Sequence, residues 1–127
     1  MPEAIAGKCR HIVTENTRVL DAVKMLKAGD LAGFGRRMWE SHDSLKNDYA
    51  VSCRELDALN GIARDFGGVL GERMTGAGFG GCGVALVEKA AAAGFEREIR
   101  KRYPELTGLT PEVYATGAAA GAEVTEL

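Results

Sequence analysis

Apolar residues in the first part of the chain recur at helical spacing. From about residue 8 to residue 27 they return every three or four positions, which predicts a helix. Ala28-Gly29-Asp30 is expected to end this helix and to supply the N-cap of the next one. A second helical pattern runs from Leu31 to Tyr49, where Gly33 and Gly35 are expected to make the first turns less regular.

A third helix is predicted to start after residue 52. Ser52 and Glu55 have the spacing of a capping box, in which the hydroxyl and the carboxylate each accept a hydrogen bond from the other residue's amide. The apolar stripe of this helix extends to Phe66, and Gly67-Gly68 supplies the left-handed residue that commonly closes a helix. The helical half of the chain therefore ends near residue 68.

The second half of the chain has the pattern of strands with one further helix. Residues 69–75 and the continuous apolar run 83–87 predict two strands joined by a glycine-rich loop. Residues 90–103, with Pro104 just past their end, predict a fourth helix. Two short final strands are expected, at 113–116 and 122–127. Together these elements predict an α+β fold with one sheet covered by helices on one face.

Composition and charge narrow the class of protein. The 127 residues are enough for one domain, 1–127, and 46% hydrophobic with 27% charged residues is typical of folded globular proteins. With 16 basic and 18 acidic residues the chain is nearly neutral, so nothing favours nucleic acid or an anionic membrane as a partner. A single globular domain is expected.

The cysteines and the hydropathy predict a cytoplasmic location. Cys9, Cys53 and Cys82 are odd in number and widely spaced, which argues against a disulfide framework and favours free thiols. No apolar run approaches the roughly 20 residues of a spanning helix, and the N-terminus lacks the pattern of a signal peptide. We therefore expect no membrane-spanning helix in this sequence.

The loop between the two predicted strands is the most informative stretch of the sequence. Five of the nine residues from Thr75 to Gly83 are glycine. Glycine loses more backbone entropy on folding than any other residue, so such a cluster indicates positive φ angles or a close approach of the backbone to something else. Successive amides in such a loop can bind phosphate oxygens, but a tight connection between closely packed strands has the same pattern. Both interpretations stay open at this point.

Two familiar phosphate motifs do not fit this loop. Gly76, Gly78 and Gly81 match G-x-G-x-x-G, yet a dinucleotide fingerprint lies between a strand and a helix, and here a second strand follows. A P-loop needs a lysine followed by serine or threonine after its glycines, which this loop lacks.

A resemblance to a known family begins at the same loop. The run Arg73-Met74-Thr75-Gly76-Ala77-Gly78-Phe79-Gly80-Gly81-Cys82 resembles the third signature motif of the GHMP kinases in its galactokinase form. Three earlier segments resemble the same region of galactokinases in the same order. They are His11 to Leu20, Glu40 to Leu45, and Asp48 to Asp57. The resemblance covers nearly the whole chain.

The resemblance implies a fold, an activity and a site. The fold would be the GHMP kinase C-terminal domain, a ferredoxin-like two-layer sandwich. The activity of the parent enzyme would be transfer of the ATP γ-phosphoryl group to the 1-hydroxyl of galactose, with Mg²⁺, in a cleft shared with an N-terminal kinase domain. The residues carried over by position are Thr75, Gly76, Ala77, Gly78, Phe79, Gly80 and Gly81, which would support the phosphate end of the nucleotide site.

The sequence also lacks what such an enzyme needs. No sugar-reading segment, serine-rich phosphate loop or catalytic aspartate of the family is found, so no catalytic residue and no metal ligand is assigned. The chain alone is expected to be inactive and to bind neither ATP nor Mg²⁺ tightly. Two alternatives of the same fold are a non-catalytic sugar or nucleotide sensor and a stand-alone interaction module.

Some residues depart from the family or invite another interpretation. Arg54 stands where the family usually has proline, and Ala120 replaces the aspartate of an Asp-Gly turn, which puts the last hairpin in doubt. Ser41 and His42 could line a cleft, but a packed, hydrogen-bonded histidine is the expected role for His42. The spacing of histidines and cysteines does not indicate a zinc site.

Overall fold

The computed structural model describes residues 1–122, 124 and 125. Four helices and a two-stranded antiparallel sheet form an α+β fold, which confirms the predicted fold class. In chain order the elements are α1 (Glu3–Ala28), α2 (Leu31–Asn47), α3 (Arg54–Asp65), β1 (Val69–Thr75), β2 (Cys82–Val87), a short 3-10 helix (Lys89–Ala91) and α4 (Ala92–Thr107).

The junction between α1 and α2 forms as its sequence predicts. Gly29 adopts the left-handed conformation with φ 74°, and its amide bonds to the carbonyl of Leu26. The Asp30 carboxylate then accepts the amide of Gly33 at 2.9 Å, which caps α2. Helix α2 is regular through Gly35, contrary to expectation. A Cβ on Gly35 would collide with the carbonyl of Leu70, so this glycine lets α2 pack directly on the backbone of β1.

Helix α1 begins at Glu3 rather than near residue 8, and the ends of α3 and α4 also differ from their predictions. The capping box of α3 does not form, because the Ser52 hydroxyl donates to Asp57 Oδ1 at 2.7 Å and Cys53 takes the N-cap position without a side-chain bond. Helix α4 does not stop before Pro104 but continues to Thr107, and Gly108 closes it by donating its amide to the Pro104 carbonyl at 2.8 Å.

The hydrophobic core has two centres. One lies between α3 and α4, where Ile62, Ala63, Phe95 and Ile99 are buried. The other lies beside the end of β1. It contains Val51, Leu56 and Met74. This second centre is directly under the loop that follows β1, so the fold places packed side chains beneath the glycines.

The two final strands are the main difference from the expected sandwich. Residues 113–116 form no strand, and β1 and β2 pair only with each other within the described residues. Val113 packs against the α3–α4 core, while Tyr114 is 81% exposed. A segment rich in strand-forming residues still needs a partner for its backbone, and no described strand lies beside it. The predicted strand 122–127 lies partly outside the described residues, at positions 123, 126 and 127.

Candidate functional site

The glycine loop connects β1 to β2 at the end of the hairpin where Thr75 pairs with Cys82. Four of its glycines and one other residue have positive φ angles. They are Gly76 (79°), Gly78 (87°), Phe79 (60°), Gly80 (140°) and Gly81 (92°). Because L residues rarely adopt such angles, the glycines make this backbone path possible, and Phe79 adopts it at a cost of about 1–3 kcal/mol.

The glycines of the loop divide into two groups. A Cβ on Gly78 would collide with the backbone carbonyl of Val51, so packing requires glycine there, whereas a Cβ on Gly83 would meet only the ends of the Glu72 and Leu59 side chains. Gly76, Gly80 and Gly81 have nothing within 4 Å of an added Cβ. These three glycines therefore provide backbone conformation with open space in front of them.

The predicted site residues lie together on the surface. Thr75, Gly76, Ala77, Phe79 and Gly81 are exposed, and the Phe79 side chain is 71% exposed. The seven residues carry no ionisable side chain, so they can offer a ligand only backbone amides, one hydroxyl and an aromatic ring. A shallow cavity of about 330 Å³ lies behind the loop. Its lining includes Leu56, Leu59, Phe79, Gly80, Gly81 and Tyr103.

His42 is buried below the loop, as a packed and hydrogen-bonded histidine. It is 1% exposed, and its Nδ1 accepts the amide of Met74 at 3.3 Å. Its Nε2 lies 3.8 Å from Asp57 Oδ1. Burial lowers the pKa of His42, with Asp57 opposing that effect.

Ser41 lines an open groove of about 400 Å³ beside α1, together with Glu15 and Arg73. Its hydroxyl donates to both carboxylate oxygens of Glu15 at 2.9 Å, and Arg73 from β1 lies 3.9 Å from the same carboxylate. Residues of α1, α2 and β1 that carry the family resemblance therefore hold these elements together.

A buried carboxylate beside the hairpin was not found by sequence reasoning. Glu72 is 2% exposed on β1, and Asn60 donates to its Oε2 at 2.5 Å. Its Oε1 has no hydrogen-bond partner among the described residues. Burial raises the pKa of Glu72 to about 7, against the opposing effect of the Asn60 bond. The sequence signal was a glutamate, followed by Arg73, within a strand that also contains Val69, Leu70 and Met74.

The Asn60 amide links Glu72 to the surface. Arg64 donates to Asn60 Oδ1 at 2.7 Å and to Asp43 Oδ1 at 2.6 Å, and its guanidinium lies 4.8 Å from the centroid of Trp39. The carboxylate therefore belongs to a polar network that crosses α3 from the sheet to solvent.

Neither a metal site nor a membrane span was found in the part of the chain that the structure describes. No group of three or more histidine, cysteine, aspartate or glutamate side chains there could hold a metal ion. Of the helices described, none combines the length and apolar character needed to cross a bilayer.

Comparison with known proteins identifies the fold. The model of the family "GHMP kinases C terminal" matches residues 22–105. The galactokinase of Streptococcus thermophilus (strain ATCC BAA-491 / LMD-9) is 50% identical over 117 residues, which are 92% of this chain and 30% of that protein. The galactokinase of Roseiflexus sp. (strain RS-1) is 44% identical over 121 residues, which are 95% of this chain and 31% of that protein. The chain thus spans about a third of the length of these relatives.

Solved structures agree with the sequence matches. The crystal structure of Lactococcus lactis galactokinase complexed with galactose has a TM-score of 0.82 and 44% identity, covering 86% of this chain and 28% of that one. A second solved structure is more distant. The crystal structure of L. major mevalonate kinase in complex with R-mevalonate has a TM-score of 0.64 and 28% identity, covering 72% of this chain and 28% of that one. With the family model matching well over half of its residues, the chain belongs to the GHMP kinase C-terminal family.

Proposed function

We propose that this chain is the C-terminal domain of a galactokinase, which transfers the ATP γ-phosphoryl group to the 1-hydroxyl of galactose. The observation that carries the proposal is 50% identity to a galactokinase over 92% of the chain. The mevalonate kinase is much less similar, at 28% identity, which favours the galactokinase branch of the family. We further propose a cytoplasmic location.

The role proposed for the chain in this reaction is to shape the phosphate end of the nucleotide site. Gly76, Gly80 and Gly81 combine positive φ angles with open space, so a phosphoryl group can approach their backbone. Since the loop has no charged side chain, it can orient phosphate oxygens but cannot neutralise them. The charges that stabilise the transition state would then come from another part of the enzyme.

Magnesium does not fit the described residues of this chain. No described cluster of carboxylates could hold it, so we assign no metal ligand here and derive no step through the ion. We propose that ATP and Mg²⁺ bind where this domain meets the N-terminal kinase domain of the parent chain, and that this chain alone binds neither tightly.

An exposed apolar stripe on α1 supports packing against such a second domain. Ile5, Ile12, Val19 and Leu26 recur every seven residues, and each is at least half exposed. Val13, Leu20 and Val23 widen the stripe, and beside it lies an open groove of about 400 Å³ lined in part by Phe34 and Val84. A stripe this broad is typical of a helix that faces a globular core rather than solvent.

A chimera tests the proposed activity. In the S. thermophilus galactokinase, the matching 117 residues are replaced by this chain, and galactose-dependent ADP release is measured with Mg²⁺ and ATP. Galactose-dependent turnover is expected from the chimera, and none from the isolated chain. A folded chimera without turnover contradicts the proposal, as does sugar-dependent ADP release by the isolated chain.

A stand-alone interaction module is the second candidate, because the same stripe could pair with a second copy. Size-exclusion chromatography with light scattering over a concentration series distinguishes the two. A monomer that binds no second copy favours the kinase domain, whereas a stable dimer that Ile12→Glu dissociates favours the module. A sensor would bind galactose or nucleotide without turnover in the chimera.

A further inference from the structure

The strand that enters the glycine loop pairs with β2 along one edge, and on its other edge a side chain takes the place of a neighbouring strand. Met74, next to the first loop residue, pairs with Gly83 on β2, but its own amide donates to His42 Nδ1. Both Met74 and His42 are 1% exposed. A buried amide without an acceptor is costly, so the imidazole supplies the acceptor that a neighbouring strand would otherwise provide.

The tip of the loop is held by the connection between α2 and α3. The amide of Phe79 donates to the Val51 carbonyl at 2.6 Å, and Gly78 lies against the same carbonyl. The next residue, Ser52, donates its hydroxyl to Asp57 Oδ1 at 2.7 Å. His42 Nε2 lies 3.8 Å from that oxygen. The imidazole is thus located between the strand that enters the loop and the connection that holds its tip.

We infer that His42 is a positioning residue for the glycine loop, which it holds in shape by accepting from Met74 at Nδ1 and facing Asp57 through Nε2. The consequence for phosphate binding rests on the proposed function, but the positioning itself does not. The inference concerns the backbone geometry of residues 76–81 and can be measured on the chain without any reaction.

The role requires a neutral imidazole with its proton on Nε2. A doubly protonated ring would place an N–H at Nδ1, opposite the N–H of Met74, and the hydrogen bond would be lost. Burial and the nearby Arg64 and Lys46 favour the neutral ring, while Asp57 and Asp43 oppose them. Because the pKa of the folded state lies below 6.5, the neutral ring persists at neutral pH and is lost only as the pH falls.

Two substitutions at one position separate the hydrogen bond from simple packing. In His42→Asn the amide oxygen can take the place of Nδ1 as acceptor, whereas His42→Ala leaves Met74 without one. The control is His11→Ala, which removes another buried histidine, bonded to Ser44 Oγ at 2.9 Å instead of to the hairpin. Each variant of the 127-residue chain is studied by ¹H–¹⁵N NMR, with global stability from urea unfolding.

The expected result is specific to the loop. In His42→Ala, exchange of the Met74 amide with solvent is faster by about tenfold after correction for global stability. The amide shifts of Gly76, Gly78 and Phe79 change as well. His42→Asn restores both, and His11→Ala leaves both unchanged. The inference is wrong if the loop amides of His42→Ala match those of the unsubstituted chain, or if His42→Asn behaves like His42→Ala.

A pH titration covers the case in which His42→Ala does not fold. In the unsubstituted chain, the ¹⁵N shifts of the His42 ring report its tautomer and its midpoint. The amides of Met74 and Phe79 are expected to shift with the same midpoint as the His42 ring, below 6.5. In Asp43→Asn the midpoint should fall, because the Asp43 charge raises the pKa of His42, and the ring and the two amides should still share one midpoint. Loop amides that do not respond as His42 titrates would overturn the inference. None of these readouts depends on kinase activity.

Discussion

Replacing Glu72 by glutamine should make the stability of this chain less dependent on pH. Glutamine has nearly the same shape and can still accept the amide of Asn60, but it cannot ionise. Glu72 is 2% exposed, and its Oε1 is without a hydrogen-bond partner among the described residues, so the ionised form is poorly stabilised. The substitution therefore removes the cost of that charge and little else.

The size and sign of the effect follow from the shift in pKa. Below pH 4.5 the carboxyl group of Glu72 is protonated in both states, and its burial costs no charge. Between pH 4.5 and about 7 the unfolded chain ionises while the folded chain stays neutral, so the free energy of unfolding falls. At about 1.4 kcal/mol per pKa unit, the loss is about 3 kcal/mol and is complete above pH 7.

Urea unfolding followed by circular dichroism measures the free energy of unfolding of both proteins at pH 5, 6, 7 and 8. Glu72→Gln should gain stability over the unsubstituted chain as the pH rises, by about 2–3 kcal/mol across this range. Other groups titrate equally in both proteins and cancel in the difference. Val84→Ala, at an exposed position without a titrating group, serves as control and should give a constant difference. A constant difference for Glu72→Gln would refute the reasoning, because it would mean that the buried carboxyl is solvated or paired.

Two further predictions concern stability. Gly78→Ala places a Cβ against the Val51 carbonyl at a φ of 87° and should lower the free energy of unfolding by about 2 kcal/mol or more. Gly61→Ala, in open space within α3, should raise the free energy of unfolding by about 1 kcal/mol. Ile62→Ala, at 0% exposure in the α3–α4 core, should cost about 3 kcal/mol, against less than about 1 kcal/mol for Val84→Ala at 47% exposure. Thermal and urea unfolding measure all four; equal effects within either pair would contradict the packing described.

The sequence correctly predicted the elements that are determined by residues close to one another in the chain. The turn at Gly29-Asp30 and the strand at 69–75 form where the sequence indicates, because a left-handed glycine, a cap and a run of strand-forming residues act within a few positions. Prediction was wrong where a distant partner competes. Ser52 bonds to Asp57 instead of capping α3, and residues 113–116 lack the neighbouring strand that their composition would need.

His42 was expected to be packed and hydrogen-bonded, but the partners of the polar groups under the loop could not be predicted for the same reason. His42 and Met74 are 32 positions apart, and Asn60 and Glu72 are 12 apart on different elements. Their hydrogen bonds exist only because α2 packs on the backbone of β1 and α3 crosses the hairpin. The adjacent Glu72 and Arg73 in β1 are a local signal, but the sequence indicates neither the partner of Glu72 nor its raised pKa.

The glycine loop itself shows how far a sequence pattern can decide between two uses. Close packing and ligand binding both call for glycine, and packing explains only some of the glycines in this loop. Gly78 is needed because the Val51 backbone is against it, whereas Gly76, Gly80 and Gly81 face open space and need glycine only for their φ angles. Packing alone does not explain these three left-handed glycines, because an ordinary hairpin turn would join the same strands with fewer such positions. This excess is the physical argument for a ligand at the open side of the loop.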